Sequence, residues 1–305
     1  MPLKHHLNPI KVGPSGALIF VDSMPGPGQD WDQAIVDAAR TSYQKGTQTK
    51  RNTEGLIHYL MKNWHSSPFE MVELKFIVKA PIFVHRQWHR HRTASINEES
   101  ARYSEVKDEY YLPRRFRAQD TKNRQGSTEA DIDKYDERAT LEAMEEAMRR
   151  AYDTYSDLLA GFREGMPPMA REQARIVLPQ AMYSTMVWKA NLHNVLHFLR
   201  LRMDPHAQEE IRDFAKAMAE VVKDGAPITW EAFQEYRVES VTLSRSARRA
   251  LETASEDAGL CTFERKLQRA VLQLEVGRQQ RNACEDLRKI GFNLETAEDR
   301  IKSQE

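Results

Sequence analysis

Cysteine is nearly missing from this 305-residue chain, which has only Cys261 and Cys284. Two thiols cannot build a disulfide framework, and their scarcity suits a reducing cytoplasm. No cysteine precedes residue 261, which argues against a cysteine nucleophile in the main body of the chain. An excess charge is missing too: 45 basic and 45 acidic side chains leave a formal net charge of zero. A general electrostatic nucleic-acid binder carries a basic excess, and no series of stacking aromatics compensates. No run approaches the ~18 apolar residues of a transmembrane helix. Met1-Pro2-Leu3-Lys4-His5-His6 lacks the apolar core of a signal peptide. The expectation is a cytoplasmic protein with neither membrane nor nucleic acid as partner. Mean hydropathy is low at −0.69, yet the apolar residues fall in helical and strand patterns, so a packed core is expected.

Ala17-Leu18-Ile19-Phe20-Val21 reads as a short buried strand, followed by the loop Met24-Pro25-Gly26-Pro27-Gly28. A dinucleotide fingerprint would need a third glycine where Trp31 stands, and two prolines remove N–H donors. Trp31 to Ser42 reads as a helix, and Leu56, Ile57, Leu60, Met61 and Trp64 mark another that ends near His65. Val72, Leu74, Phe76 and Val78 alternate as in a half-buried strand. Pro81 can open a helix running from Ile82 to about His91. Residues 112–130 are polar and aperiodic and predict a long, mobile loop. Leu141, Met144, Met148, Ala151, Tyr155, Leu158 and Phe162 define one face of an amphipathic helix. A short helix carries Arg171 and Arg175, Met182 to Lys189 is strand-like, and Asn191 to Leu201 is helical. Ile211, Phe214, Ala215, Met218 and Val222 mark a last helix of the main body, ended by Gly225 and Pro227. Beyond Val238 the character changes. Residues 241–305 carry 12 basic and 11 acidic side chains and neither tryptophan nor tyrosine. Phe263, Leu267, Val271 and Leu274 suggest helix, so the chain divides into a main domain, 1–238, and a helical extension, 239–305.

Chemistry concentrates in His85-Arg86-Gln87-Trp88-His89-Arg90-His91-Arg92. On one helix these cations would repel, so an anion is expected to offset them. Arginine's planar fork suits phosphate, carboxylate and the carbonyl edge of heterocycles. His85 and His89 could share a helix face as in zinc sites. No His-Glu-x-x-His motif or nearby cysteine supports that, and flanking arginines oppose a cation, so no metal is expected. Downstream, Ser95-Ile96-Asn97-Glu98-Glu99-Ser100-Ala101-Arg102 is dense in hydrogen-bonding groups. It reads equally as a phosphate cradle and as a helix-capping turn, since Ser95 and Glu98 match a capping box.

Arg90-His91-Arg92, seven residues and then Ser100 resembles the Arg-His-Arg-x7-Ser signature of the flavin-dependent thymidylate synthases. Further blocks follow in family order: Ala38-Ala39-Arg40-Thr41-Ser42, His65-Ser66-Ser67-Pro68-Phe69-Glu70, Lys79-Ala80-Pro81-Ile82-Phe83-Val84, Gln87-Trp88, Ala174-Arg175-Ile176-Val177-Leu178-Pro179 and Leu201-Arg202. The likeness spans roughly residues 15–235, and several ordered blocks are far more specific than one motif.

The resemblance implies an α+β fold, a mixed β-sheet with packed helices, and an enzyme that methylates dUMP to dTMP. Methylenetetrahydrofolate would supply the carbon and NADPH would reduce a bound FAD, with no cysteine nucleophile. It implies dUMP contacts at Gln87, Trp88, His89, Arg90, Glu98, Glu99, Ser100, Ala101, Arg102, Arg175 and Arg202. Ser100 and Arg102 would take the phosphate, and Arg202 would be catalytic, favouring ionisation at uracil N3. For FAD it implies Ser42, His65, Ser67, Arg90, His91, Arg92, Glu98, Asn191, Leu192, His193 and His197. Ala101 stands where some members have glycine, and His197 where some have asparagine. The family also implies a homotetramer with active sites shared between subunits.

Overall fold

The computed structural model describes residues 5–42, 52–121, 123–124, 126–129, 133–255 and, beyond these, 267–268, 270–273, 283–284 and 286–288. Two compact units follow one another along the chain, Met1–Val238 and Glu239–Glu305.

The first unit is α+β. Its strands are β1 (Ile10–Val12), β2 (Gly16–Met24), β3 (Glu73–Pro81), β4 (Ser95–Glu98) and β7 (Tyr183–Asn191), in the order β1-β2-β3-β7-β4. Every named pair is antiparallel, and one isolated parallel bridge joins His6 to Phe20. The sequence alternation sets the faces. Leu74, Phe76 and Val78 of β3 point inward with Leu18 and Phe20 of β2 and Met186 and Trp188 of β7, all buried. Lys75 and Lys79 of β3 and Lys189 of β7 take the opposite face, as a period of two requires. A one-residue slip in this register would turn lysines into the core.

Helices cover the apolar face. They are α1 (Trp31–Arg40), α2 (Thr53–Lys62), α3 (Ser67–Glu70), α4 (Ile82–Trp88), α7 (Leu192–Arg202), α8 (Glu209–Gly225) and α9 (Pro227–Phe233). α8 buries Ile211, Phe214, Ala215, Met218 and Val222, the residues whose spacing predicted it. Trp31, Trp88 and Trp188 are fully buried, and the Trp88 ring lies 4.5 Å from Phe198 on α7. Aromatic side chains of this size, each burying some 150–250 Å², make the centre of the core heavily aromatic. Gly225 is required by close approach, since a Cβ there would sit 2.2 Å from the Trp31 ring.

Several expectations change. The helix expected over 82–91 stops at Trp88. His89 and Arg90 form a turn instead, which relieves stacking of like charges along one axis. Ser95–Glu98 is no helix cap but the edge strand β4, paired with β7. The expected 112–130 loop contains a hairpin, β5 (Arg117–Gln119) and β6 (Ser127–Glu129). Its turn is closed by Asn123 N–H donating to the Asp120 carboxylate at 3.1 Å, and Arg117 ties it to Glu209 and Glu210 of α8. These are polar devices, so no hydrophobic period announced them. Pro227 does not only end α8; it opens α9. Between hairpin and β7 runs α5 (Lys134–Ala160), then α6 (Arg171–Ala174) and a 3-10 turn, Arg175–Val177.

In the second unit, α10 (Arg245–Ser255) contributes Ala247 and Ala250 to a small core with Leu267, Val271, Cys284 and Leu287. Phe263 and Leu274, part of the expected helical spacing, lie outside the described residues.

Candidate functional site

Helix α4 positions most of the chemistry. β3 runs into it without a loop, because Pro81 closes the strand and caps the helix in an extended conformation. Val84 and Trp88 fix one face in the core, and Phe214 of α8 contacts the Trp88 ring edge-on. The Trp88 indole is fully buried, so this expected dUMP residue can anchor the site but offers no side-chain surface to a ligand. The same holds for Leu192.

To either side of that face α4 carries His85 and Gln87, two residues apart and so pointing in different directions. His85 is 1% exposed, and its Nδ1 lies 3.1 Å from the Glu98 carboxylate at the end of β4. His89 approaches the other carboxylate oxygen at 3.6 Å, and the Ser184 hydroxyl of β7 donates to it. Burial alone would push the Glu98 carboxyl up. The hydrogen bonds and the two imidazoles outweigh burial and hold it below the ordinary carboxylate range. Glu98 therefore stays ionised.

From Glu98 the chain enters the turn Glu99-Ser100-Ala101-Arg102. Glu99 N–H donates to the Thr185 carbonyl at 2.8 Å, which keeps the turn against β7. The Ser100 hydroxyl accepts from Arg102 N–H at 3.3 Å. Glu98, Glu99, Ser100 and Ala101 line a cleft of about 400 Å³ together with Arg175, Lys79, Lys107 and Thr185. Thus Glu98, Glu99, Ser100, Ala101 and Arg175 converge as the sequence suggested. Arg102 turns outward and meets Glu172 of α6 at 3.4 Å. Lys79 and Lys107 were not singled out from sequence. The strand alternation around Lys79 was the available signal, but it reads as an ordinary solvated face.

At the C-terminal end of α4 a second group forms. Arg202, in the last turn of α7, donates through Nε to His91 Nε2 at 3.0 Å and through a terminal N–H to the Gln87 carbonyl at 3.2 Å. For His91 to accept there, its Nε2 must be unprotonated. Burial, then the positive charge of Arg202, then His197 lower the His91 pKa from 6.5 to about 4, so the ring is neutral near pH 7. Burial also lowers the Arg202 pKa from its ordinary value, but an arginine stays charged. The guanidinium thus has two N–H groups engaged and the rest of its fork free. Gln87 reaches the side chain of Gln208, just before α8, a partner the sequence did not indicate. Arg90 and Arg92 are exposed beside this group.

A third group sits along α7. The His197 ring lies 6.0 Å from that of His91. His193 and His197 share a hollow of about 50 Å³ with Trp64, Arg200 and Arg237. Trp64 is 65% exposed and adopts φ +62°, a left-handed conformation that is strained for a bulky residue. The Arg237 guanidinium packs 3.5 Å from the centre of its ring. Asn191 caps α7, its side chain accepting from Asn194 N–H at 3.0 Å. His65 stands exposed after α2 with the Tyr59 ring at 5.7 Å. Ser42, His65 and Ser67 line neither hollow. Among the described residues no group of three or more histidine, cysteine or acidic side chains is placed to hold a metal.

Fold and site together define an α+β protein with a cleft of mixed charge, where Lys79, Lys107 and Arg175 stand among Glu98, Glu99, Glu105 and Glu109 and Lys79 pairs with Glu109 at 2.6 Å, and with a neutral His91 held against the Arg202 guanidinium. Residues 21–228 match the family model described as thymidylate synthase complementing protein. The chain is 50% identical over 220 residues to a flavin-dependent thymidylate synthase of Thermus thermophilus, covering 72% of this chain and 78% of that one. It is 46% identical over 242 residues to the enzyme of that name from Ruegeria pomeroyi, covering 76% and 79%. Among solved structures, a UMP/dUMP methylase from Streptomyces cacaoi bound with 5-Br UMP superposes with a TM-score of 0.63 at 35% identity, over 75% of this chain and 97% of that chain. The chain belongs to the thymidylate synthase complementing protein family, whose curated relatives here bear the name flavin-dependent thymidylate synthase.

Proposed function

We propose that this protein is a flavin-dependent thymidylate synthase converting dUMP to dTMP, with methylenetetrahydrofolate as carbon donor and NADPH as reductant of FAD. The observation that carries this reading is the placement of Ser100 and Arg175 in one cleft, lined also by Ile82 at the start of α4, and of Arg202 and His91 beside Gln87 near the end of that helix. Arg175, Lys107 and the Ser100 hydroxyl in the cleft suit a phosphate dianion, whereas Lys79 is already paired with Glu109 at 2.6 Å. Arg202, oriented by His91 and the Gln87 carbonyl, presents its free N–H groups to a uracil edge. It would stabilise negative charge spreading over N3 and the carbonyls, and so raise nucleophilicity at C5 without covalent help from the protein. Its ready-made orientation costs no reorganisation during reaction.

The residues around the hollow along α7 fit part of a flavin dinucleotide: Arg200 and Arg237 for its charge, His193 and His197 as hydrogen-bonding rings, and Trp64 for a flat ring. The chemistry FAD supplies when bound is hydride transfer, and the protein supplies position and field. That hollow is far smaller than the dinucleotide, and Ser42, His65 and Ser67 stand elsewhere on the chain. Both facts suit a site completed by neighbouring subunits, and the family resemblance puts their number at four. Mass photometry giving about four chains per particle is the expected result. A cytoplasmic location accords with scarce cysteine and with the lack, among the described residues, of any helix long and apolar enough to cross a membrane.

The test is anaerobic dTMP formation from dUMP, methylenetetrahydrofolate, FAD and NADPH, each omitted in turn. Product that needs all four is expected. Folded protein with bound flavin and no product refutes the reading. The structural neighbour named for both UMP and dUMP favours a second substrate reading, in which UMP is methylated as well. Parallel assays with UMP separate the two.

A further inference from the structure

Helix α4 runs between the two halves of the proposed nucleotide site, from Ile82 at the cleft to Gln87 beside Arg202, and one side chain on it has no visible task in binding. His85 is 1% exposed. Its Nδ1 lies 3.1 Å from Glu98, and its Nε2 is buried without a hydrogen-bond partner among the described residues. An imidazole buried this deeply is retained at a cost unless its polar contacts matter. Here it has one polar contact, with a carboxylate that only accepts, so Nδ1 carries the hydrogen.

Where that bond sits decides what it can do. It joins α4, which bears Gln87 and leads to Arg90 and His91, to the last residue of β4. The next residues form the Glu99–Arg102 turn, of which Glu99, Ser100 and Ala101 line the cleft. β4 is an edge strand of four residues, paired on one side only, with β7. Its backbone ladder alone is a weak anchor for a turn that must receive a dianion. The His85–Glu98 bond is a second, sideways tether from the strand to the helix.

Resting on the proposed function, we infer that His85 is a positioning residue for substrate binding: its Nδ1–H fixes Glu98, and through it the distance between the Ser100 turn and the Gln87–Arg202 group. Nucleotide reaching from one group to the other is bound well only when that distance is set beforehand, because ordering the turn at the moment of binding subtracts from affinity. His89, at 3.6 Å from the second carboxylate oxygen, restrains the same group more loosely. The sequence gives no hint of this link, since His85 reads as one more cation in a basic helix.

The test compares the wild-type enzyme with H85N, H85L and H85A. Asparagine places an N–H the same number of bonds from the backbone as Nδ1; leucine and alanine remove the donor. Flavin content and dUMP affinity are measured on each holoenzyme, together with kcat and KM for dUMP. Loss of a hydrogen bond to a charged group predicts dUMP affinity about tenfold or more weaker in H85L and H85A, with flavin retained. KM should rise far more than kcat falls, and H85N should stay within about threefold of wild type. Three results would overturn the inference: H85L and H85A binding dUMP like wild type, H85N no better than H85L, or both apolar variants failing to fold, which would make the ring a plain core residue. A wild-type protein that does not bind dUMP refutes the proposed function instead, whatever the variants do.

Discussion

At the residue scale the site depends on one neutral imidazole beside one permanent cation. Arg202 is held by His91 and by the Gln87 carbonyl, so its replacement removes charge from the substrate and leaves two acceptors without a partner. Arg202→Ala should lower turnover by about a hundredfold or more while the protein keeps its flavin. Single-turnover dTMP formation checks this, and normal turnover would remove Arg202 from its role. His91 has a further consequence for stability. Its folded pKa of about 4 lies below the ordinary 6.5, so between these values the unfolded chain binds the extra proton and the folded chain does not. Stability therefore falls as pH drops from 6.5 to 4, by up to roughly 3 kcal/mol if no other group compensates. Urea unfolding at pH 7 and pH 5 should show a smaller loss in His91→Gln than in wild type. Equal losses would place the acid sensitivity elsewhere.

At the element scale, helix ends are held by side chains from distant segments. The Asp32 carboxylate on α1 accepts from Ile228 N–H at 2.8 Å, Thr229 N–H at 2.9 Å and the Thr229 hydroxyl at 2.6 Å. It thereby caps α9 from 197 residues away. Asp32→Ala leaves these donors buried and unpaired and should destabilise the fold by about 3 kcal/mol, read as a lower urea midpoint at unchanged slope. A change below half that value would mean the cap is replaceable. The same distance explains what could and could not be read beforehand. α1, α8, β3 and β7 follow from periodic apolar residues, which signal burial directly. β4, the hairpin and α9 depend on partners far along the chain: β7 for β4, Glu209 and Glu210 for the hairpin, Asp32 for α9. Their local sequences carry turn-like or capping signals that fit more than one outcome. In the site, Ser100 and Arg175 were legible through a motif, whereas His85 and Gln208 were not, because each gains meaning only from the side chain it meets.

At the scale of the whole molecule, the family match ends at residue 228, close to the end of the first unit at Val238. The catalytic assignment therefore belongs with the first unit, and the second has a small core of its own. Removing residues 239–305 should leave flavin binding and measurable dTMP formation, assayed on purified truncated protein. A folded, flavin-bound but inactive truncation would show that the second unit supplies part of the reaction.

The first unit contains no cysteine at all, with both thiols of the chain falling after Val238. For inhibitor chemistry this is a matter of attachment. A uracil analogue whose potency depends on being trapped as a thiolate adduct finds no thiol along 1–238 to bond. Compounds against this protein must gain their hold from the arginine fork and the anion cleft, and reversible dianionic mimics are the natural place to begin.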